Sequence, residues 1–292
     1  MGDGSYNFSC RTSRADASGY KDSTVSNDDI FKQNREQQIH PDMVIYGKIR
    51  ESRDSAEHPY SIPIIISLDV TGSMSTIPRM FIADGLPDIV SKIINAGIEH
   101  PQICFSAIGD HEYDRAPFQV GQFESSDELM DKWLQSVWLE RGGGGNDGES
   151  YALAWKFAAD HTACDHIEKR GKKGILFSIG DEPNLRSYPR GVLNALFGGQ
   201  NIDETDITLY EKAKKNWDLF HISIEHGTRT SPSWRQLFGD NLIVVNDYHQ
   251  IPEIISSKIL ELNKDTINNS QPAQTTVDTI PVDTSDTFKI TL

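Results

Sequence analysis

Two rhythms of apolar and polar positions run along the chain. Residues 61–69, "SIPIIISLD", are almost continuously apolar, the pattern of a strand covered on both faces. Similar runs stand at 102–110 ("QICFSAIGD"), 174–181 ("GILFSIGD"), 219–225 ("LFHISIE") and 241–245 ("NLIVV"). Between them the spacing turns helical. In 85–97, Leu86, Ile89, Val90, Ile93 and Ile94 fall on one face. Further helices are expected at 125–138, opened by a Ser125/Glu128 capping box, and at 149–161, 206–217, 233–239 and 251–263. Residues 116–123, "APFQVGQF", read as a strand returning antiparallel to 102–110. Strands alternating with helices predict an α/β, doubly wound fold: a mostly parallel central sheet with one antiparallel edge strand and helices on both faces.

The rhythm fails at both ends. Residues 1–58 are polar without sustained periodicity and read as an extended N-terminal arm, with a short helix near "SNDDIFKQNREQQ". Residues 264–292 are rich in Thr, Asp, Ser and Pro, which predicts a flexible tail. Its final "TFKITL" alternates and could add as a strand to a sheet edge. The folded domain is therefore expected over 59–263.

Charge narrows the function. Acids outnumber bases 43 to 28, for a net charge of −15, which disfavours nucleic acid and anionic membranes as partners. Cys10, Cys104 and Cys164 lack metal spacing and read as reduced thiols of a cytoplasmic protein. No apolar run reaches the roughly 18 residues of a membrane span.

Chemistry gathers where the strands end. In open α/β sheets, sites form at the carboxyl ends of the strands. Three such ends here carry Asp69, Asp110 and Asp181, and the loop "RGGGGNDGES" adds Asn146, Asp147 and Glu149. Acids gathered at one rim repel one another unless a cation neutralises them. Carboxylates with hydroxyls, and neither His nor Cys, suit a hard ion such as Mg²⁺. Asp69, Thr71 and Ser73 stand at alternate positions of "DVTGSM", with Gly72 letting the loop curl. As alternatives, Asp69 and Ser73 could simply end a strand and cap a helix, and Glu149 could be a solvated first-turn residue. Asp110 reads as structural, or as lying behind the ligands. His111, Glu112 and Asp114 read as a surface turn, and Trp133, Trp138 and Trp155 as core. The run Gly142–Gly145 reads as a loop that approaches an ion.

"DVTGSM" after an apolar strand resembles the DxSxS signature of von Willebrand factor A domains, over roughly residues 59–263. The resemblance implies a metal-ion-dependent adhesion site holding Mg²⁺ or Mn²⁺ through Asp69, Thr71, Ser73 and, from "SIGDEP", Asp181. The second loop lacks the usual Gly-Gly-Thr. It is more similar to the Asp-x-Pro-Glu variant of integrin β-subunit and alpha-kinase-associated A domains, which implies Glu149 as the ligand, with Gly148 in place of proline; Asn146 and Asp147 are the other candidates. The family implies a non-enzymatic adaptor or scaffold that grips a partner carboxylate within a larger assembly, often with an AAA+ ATPase of the MoxR type. The chain has no P-loop of its own. Two other readings stand beside this one. "DVTGS" also resembles the loop of haloacid-dehalogenase-like phosphohydrolases, with Asp69 as nucleophile, although Thr71 replaces their second Asp. In the other, the chain is a metal-independent structural subunit.

Overall fold

A computed structural model describes residues 4–141, 145–146, 148–225, 230–265 and 267. Its centre is a six-stranded sheet. The strands are β1 (Ile62–Asp69), β2 (Pro101–Ile108), β3 (Phe118–Val120), β4 (Gly174–Gly180), β5 (Trp217–Ile224) and β6 (Leu242–Val245). Their spatial order is β6-β5-β4-β1-β2-β3. Every pairing is parallel except β2 with the edge strand β3, which is antiparallel as the sequence predicts.

Parallel strands need crossovers, and the helices supply them. Ile64, Ile66 and Leu68 of β1 point into a core shared with α2 (Leu86–Asn95), α3 (Asp127–Gln135) and α8 (Ile251–Leu262). Ile65 points the other way, toward α4 (Ala152–Asp160), α5 (Arg190–Phe197), α6 (Asp206–Ala213) and α7 (Pro232–Phe238). That alternation is why β1 reads as a continuous apolar run: both of its faces are covered. The three tryptophans expected in the core are buried: Trp133 in the first of these clusters, Trp155 in the second, and Trp138 outside both. Helix α3 starts one residue later than its expected capping box: Ser126, not Ser125, accepts from the Leu129 N–H.

The second face carries a polar stripe. Ser106, Ser67, Ser178 and His221 sit in register on four adjacent strands. Ser67 Oγ lies 2.5 Å from Ser106 Oγ, and Ser178 Oγ lies 3.0 Å from His221 Nδ1. Asp69, two residues beyond Ser67, faces the same side.

The N-terminal residues depart from the expected extended arm. Helix α1 (Phe8–Ala17) docks on α3. There Arg11 pairs with Asp131, and Arg14 pairs with Asp127 and Asp131. Tyr20, Ile30, Phe31 and Met43 are buried in the α2/α3/α8 core. Arg50–Ser52 pair in parallel with Thr162–Cys164, and the Arg50 guanidinium donates to the Val120 carbonyl at the sheet edge. These contacts were hidden because their apolar residues are irregularly spaced and their ionic partners lie more than a hundred positions away. Of the expected tail, 264–292, only 264, 265 and 267 are among the described residues, so its alternating end lies outside them.

Candidate metal centre

β1 ends at Asp69, which is fully buried. The chain then turns sharply: Oδ1 of Asp69 accepts from the Thr71 N–H at 2.9 Å and from Thr71 Oγ1 at 2.6 Å. Asp commonly closes a turn on the backbone two residues ahead. Gly72–Met74 form a single 3₁₀ turn that presents Ser73 to solvent. Oδ2 of Asp69 accepts from Tyr151 Oη at 2.6 Å.

The second loop lies across the end of β1. The Glu149 N–H donates to the Pro183 carbonyl, and the Leu185 N–H donates back to the Glu149 carbonyl, both at 2.9 Å. Next along the chain, the Ser150 N–H donates to the Gly109 carbonyl at 3.1 Å. Pro183 follows β4 and Gly109 follows β2; β1 lies between those strands, so residues 149–150 arch over Asp69. Gly148 permits the approach, because a Cβ there would sit 3.0 Å from the Pro183 carbonyl oxygen. Asn184 completes the joint. Its Oδ1 accepts from the Ala152 N–H at the start of α4 and from Tyr188 Oη.

Three expected ligands converge electrostatically. Burial pushes the Asp69 carboxyl up, and Asp181 adds to that; bonds from Thr71 and Tyr151 oppose it. Burial also pushes Glu149 up, reinforced by Asp69, Asp114, Asp110 and Glu182. Glu149 Oε2 and Asp181 Oδ1 are buried without a hydrogen-bond partner. Buried polar atoms are rarely left so, and an unpartnered carboxylate oxygen among other acids fits a place for a cation. Among the described residues, no three His, Cys, Asp or Glu side chains form a ready-made cage. A site here would therefore draw on hydroxyls too. Thr71 Oγ1 gives its proton to Asp69 and keeps lone pairs for an ion.

The other acids have different roles. Asp110 Oδ1 accepts from the Glu112 N–H, and the Asp110 N–H donates to Asp114 Oδ2, both at 2.8 Å, so Asp110 and Asp114 brace their own turn. Asn146 donates to Glu112 at 2.8 Å, which turns it toward that neighbouring loop. Asp147 and Gly142–Gly144 lie outside the described residues. Sequence reasoning missed Tyr151, Gly180 and Asn184. Tyr151 was hidden inside an ordinary helical run; its position two residues after Glu149, at a helix start, was the available signal.

No protein-family model matches the sequence, and no curated protein does. Similar solved structures include the pilus adhesin SpaC from Lactobacillus rhamnosus GG, at a TM-score of 0.47 and 12% identity. That match covers 76% of this chain and 31% of the adhesin chain, so the chain spans about a third of the adhesin's length. Proximal thread matrix protein 1 from the mussel byssus matches at a TM-score of 0.47 and 12% identity, over 74% of this chain and 49% of its own. A von Willebrand factor type A structure from Catenulispora acidiphila matches at 0.39 and 12% identity, over 69% and 42%.

Proposed function

We propose that this chain is a protein-binding module of the von Willebrand factor A type that holds Mg²⁺ or Mn²⁺ at the end of β1. Asp69, Thr71, Ser73, Glu149 and Asp181 would hold the ion. The observation that carries the reading is the pair of buried, unpartnered oxygens, Glu149 Oε2 and Asp181 Oδ1, in the electrostatic neighbourhood of Asp69. Once bound, such an ion supplies a Lewis-acidic position that an acidic side chain of a partner can occupy. Three carboxylates around a divalent ion make that pull weaker than two would.

The same geometry favours binding over catalysis. Asp69 is fully buried and both its oxygens are engaged, an arrangement suited to a fixed support and poorly suited to attack on phosphorus. We place the module in the cytoplasm as a non-enzymatic adaptor in a larger assembly, with an AAA+ ATPase of the MoxR type as the partner to test first. Among the described residues, no helix is long and apolar enough to cross a membrane.

Titration calorimetry with Mg²⁺ and Mn²⁺ tests the metal. The wild type should bind one ion, and the Asp69→Ala/Ser73→Ala double variant should bind none while keeping its fold. Equal affinity in the two proteins would refute the assignment. Partner capture that survives EDTA would instead support a metal-independent structural subunit, and Mg²⁺-dependent turnover of a phosphoester lost in Asp69→Asn would support an enzyme.

A further inference from the structure

Asp69 is held from two sides, and only one side belongs to the DVTGS loop. Thr71 secures Oδ1. Oδ2 is secured by Tyr151, which stands immediately before α4, the helix that follows the arch. At 2.6 Å, this contact lies in the range of a charge-assisted O–H···O⁻ bond.

The tyrosine itself has no freedom to be elsewhere. It is fully buried, and its ring meets His221 and Trp234 edge-on, each at 5.2 Å between centroids. Those two rings stack on each other at 3.5 Å. The hydroxyl occupies the volume that a side chain at position 180 would fill: a Cβ on Gly180 would lie 1.8 Å from Tyr151 Oη. Three elements therefore aim one hydroxyl at one carboxylate oxygen: β4 by leaving space, and β5 and α7 by packing against the ring.

We infer that Tyr151 is a positioning residue for the cation site, fixing the Asp69 carboxylate plane so that its one remaining lone-pair site, on Oδ2, faces the ion. This rests on the metal-binding reading above. Three donors, the Thr71 N–H, Thr71 Oγ1 and Tyr151 Oη, leave the carboxylate a single orientation. Groups that orient a ligand in this way typically set metal affinity by about 10- to 100-fold.

The test is Tyr151→Phe, which removes one oxygen and keeps the ring. Mn²⁺ alone is the probe, followed by calorimetry and by the electron paramagnetic resonance spectrum of the bound ion. We expect Mn²⁺ affinity to fall by about tenfold or more, with an altered spectrum and a native circular dichroism spectrum in EDTA. Installing 4-aminophenylalanine at 151, which restores a donor, should recover much of the affinity. If the wild type binds Mn²⁺ and Tyr151→Phe binds it within about twofold, Tyr151 only satisfies its own buried hydroxyl and the inference fails while the metal reading stands. If the wild type takes up no Mn²⁺, the metal reading fails first and the inference falls with it.

Discussion

Gly180→Ala concentrates the packing of this site into one methyl group. Its Cβ would stand 1.8 Å from Tyr151 Oη, 2.5 Å from Cζ and 2.6 Å from Cε1. Tyr151 cannot retreat, because His221 and Trp234 close the space around its ring. Overpacking of a tight core costs about 1–3 kcal/mol. Pushing the hydroxyl off Asp69 removes a hydrogen bond to a charged group, worth about 1.5–3 kcal/mol. Together these predict a loss of about 2.5–6 kcal/mol, or a melting temperature lower by about 5–24 °C in a domain of this size. The measurement is thermal and urea unfolding in EDTA, which keeps metal out of the comparison. The sharper assay is a double-mutant cycle with Tyr151→Leu. Once the ring is gone, Gly180→Ala should cost little, so the two effects should fall short of additivity by nearly the whole cost of Gly180→Ala alone, about 2.5–6 kcal/mol. Additive costs to within about 0.5 kcal/mol would show that Tyr151 does not need the space at Gly180.

Other outcomes follow from separate parts of the molecule. Burial holds His221 down to about 3 and His166 down to about 4, the latter helped by Arg170 and Lys172. The unfolded chain therefore takes up protons below about pH 6.5 that the folded one refuses, so stability is full above that value and lost as pH falls toward 4 and 3. Each histidine should remove about 1 kcal/mol between pH 7 and 5.5, read as the difference between the wild type and His166→Gln or His221→Gln, because the raised Asp69 and Glu149 carboxyls work in the opposite direction over that interval; a urea midpoint that shifts equally in wild type and variant would contradict their neutral burial. Asp131→Leu strands the buried Arg11 guanidinium and should cost about 3–5 kcal/mol, read by urea unfolding, whereas a loss under about 1 kcal/mol would mean that the pair is dispensable. Asn184→Ala should cost about 1–2 kcal/mol by removing the shared acceptor of the Ala152 N–H and the Tyr188 hydroxyl and leaving only the 3.3 Å bond between those two, and a wild-type melting curve would count against that joint. Of the three cysteines, only the exposed Cys10 should react with a thiol reagent in the native protein, since Cys104 and Cys164 are buried; two or three fast-reacting thiols would contradict the core described above.

Five of the six strands were legible as mostly apolar runs too short for a helix; the three-residue β3, with Gln119 at its centre, was legible from the alternation of 116–123. "IPIIISLD" coincides with β1 over Ile62–Asp69. The parallel order followed from the helices between the strands, and the antiparallel edge from the short link between 102–110 and 116–123. The candidate site was legible in part. Asp69, Thr71 and Ser73 declare themselves by spacing, but nothing local shows that Glu149 arches over them; that depends on backbone bonds to Gly109, Pro183 and Leu185. Tyr151 was harder to read because the space for its hydroxyl is left by the missing side chain of Gly180, on a strand far along the chain, and its one local signal is its place two residues after Glu149. The N-terminal residues were illegible for a related reason. Arg11, Arg14, Tyr20, Ile30 and Phe31 form no pattern among themselves, since what fixes them is α3 and the sheet core.

That docking has a consequence for the order in which the chain can be built. The Asn7 N–H is held by Asp127, 120 positions later, and Arg14 by Asp127 and Asp131 at separations of 113 and 117. At about 5–20 residues per second of synthesis, α1 waits roughly 6–24 seconds for the helix it rests on. Throughout that interval Tyr20, Ile30 and Phe31 have no finished core to enter. Residues 7–31 are therefore made well before the helix they rest on and are among the later ones to find their place, which leaves them open to a chaperone during synthesis.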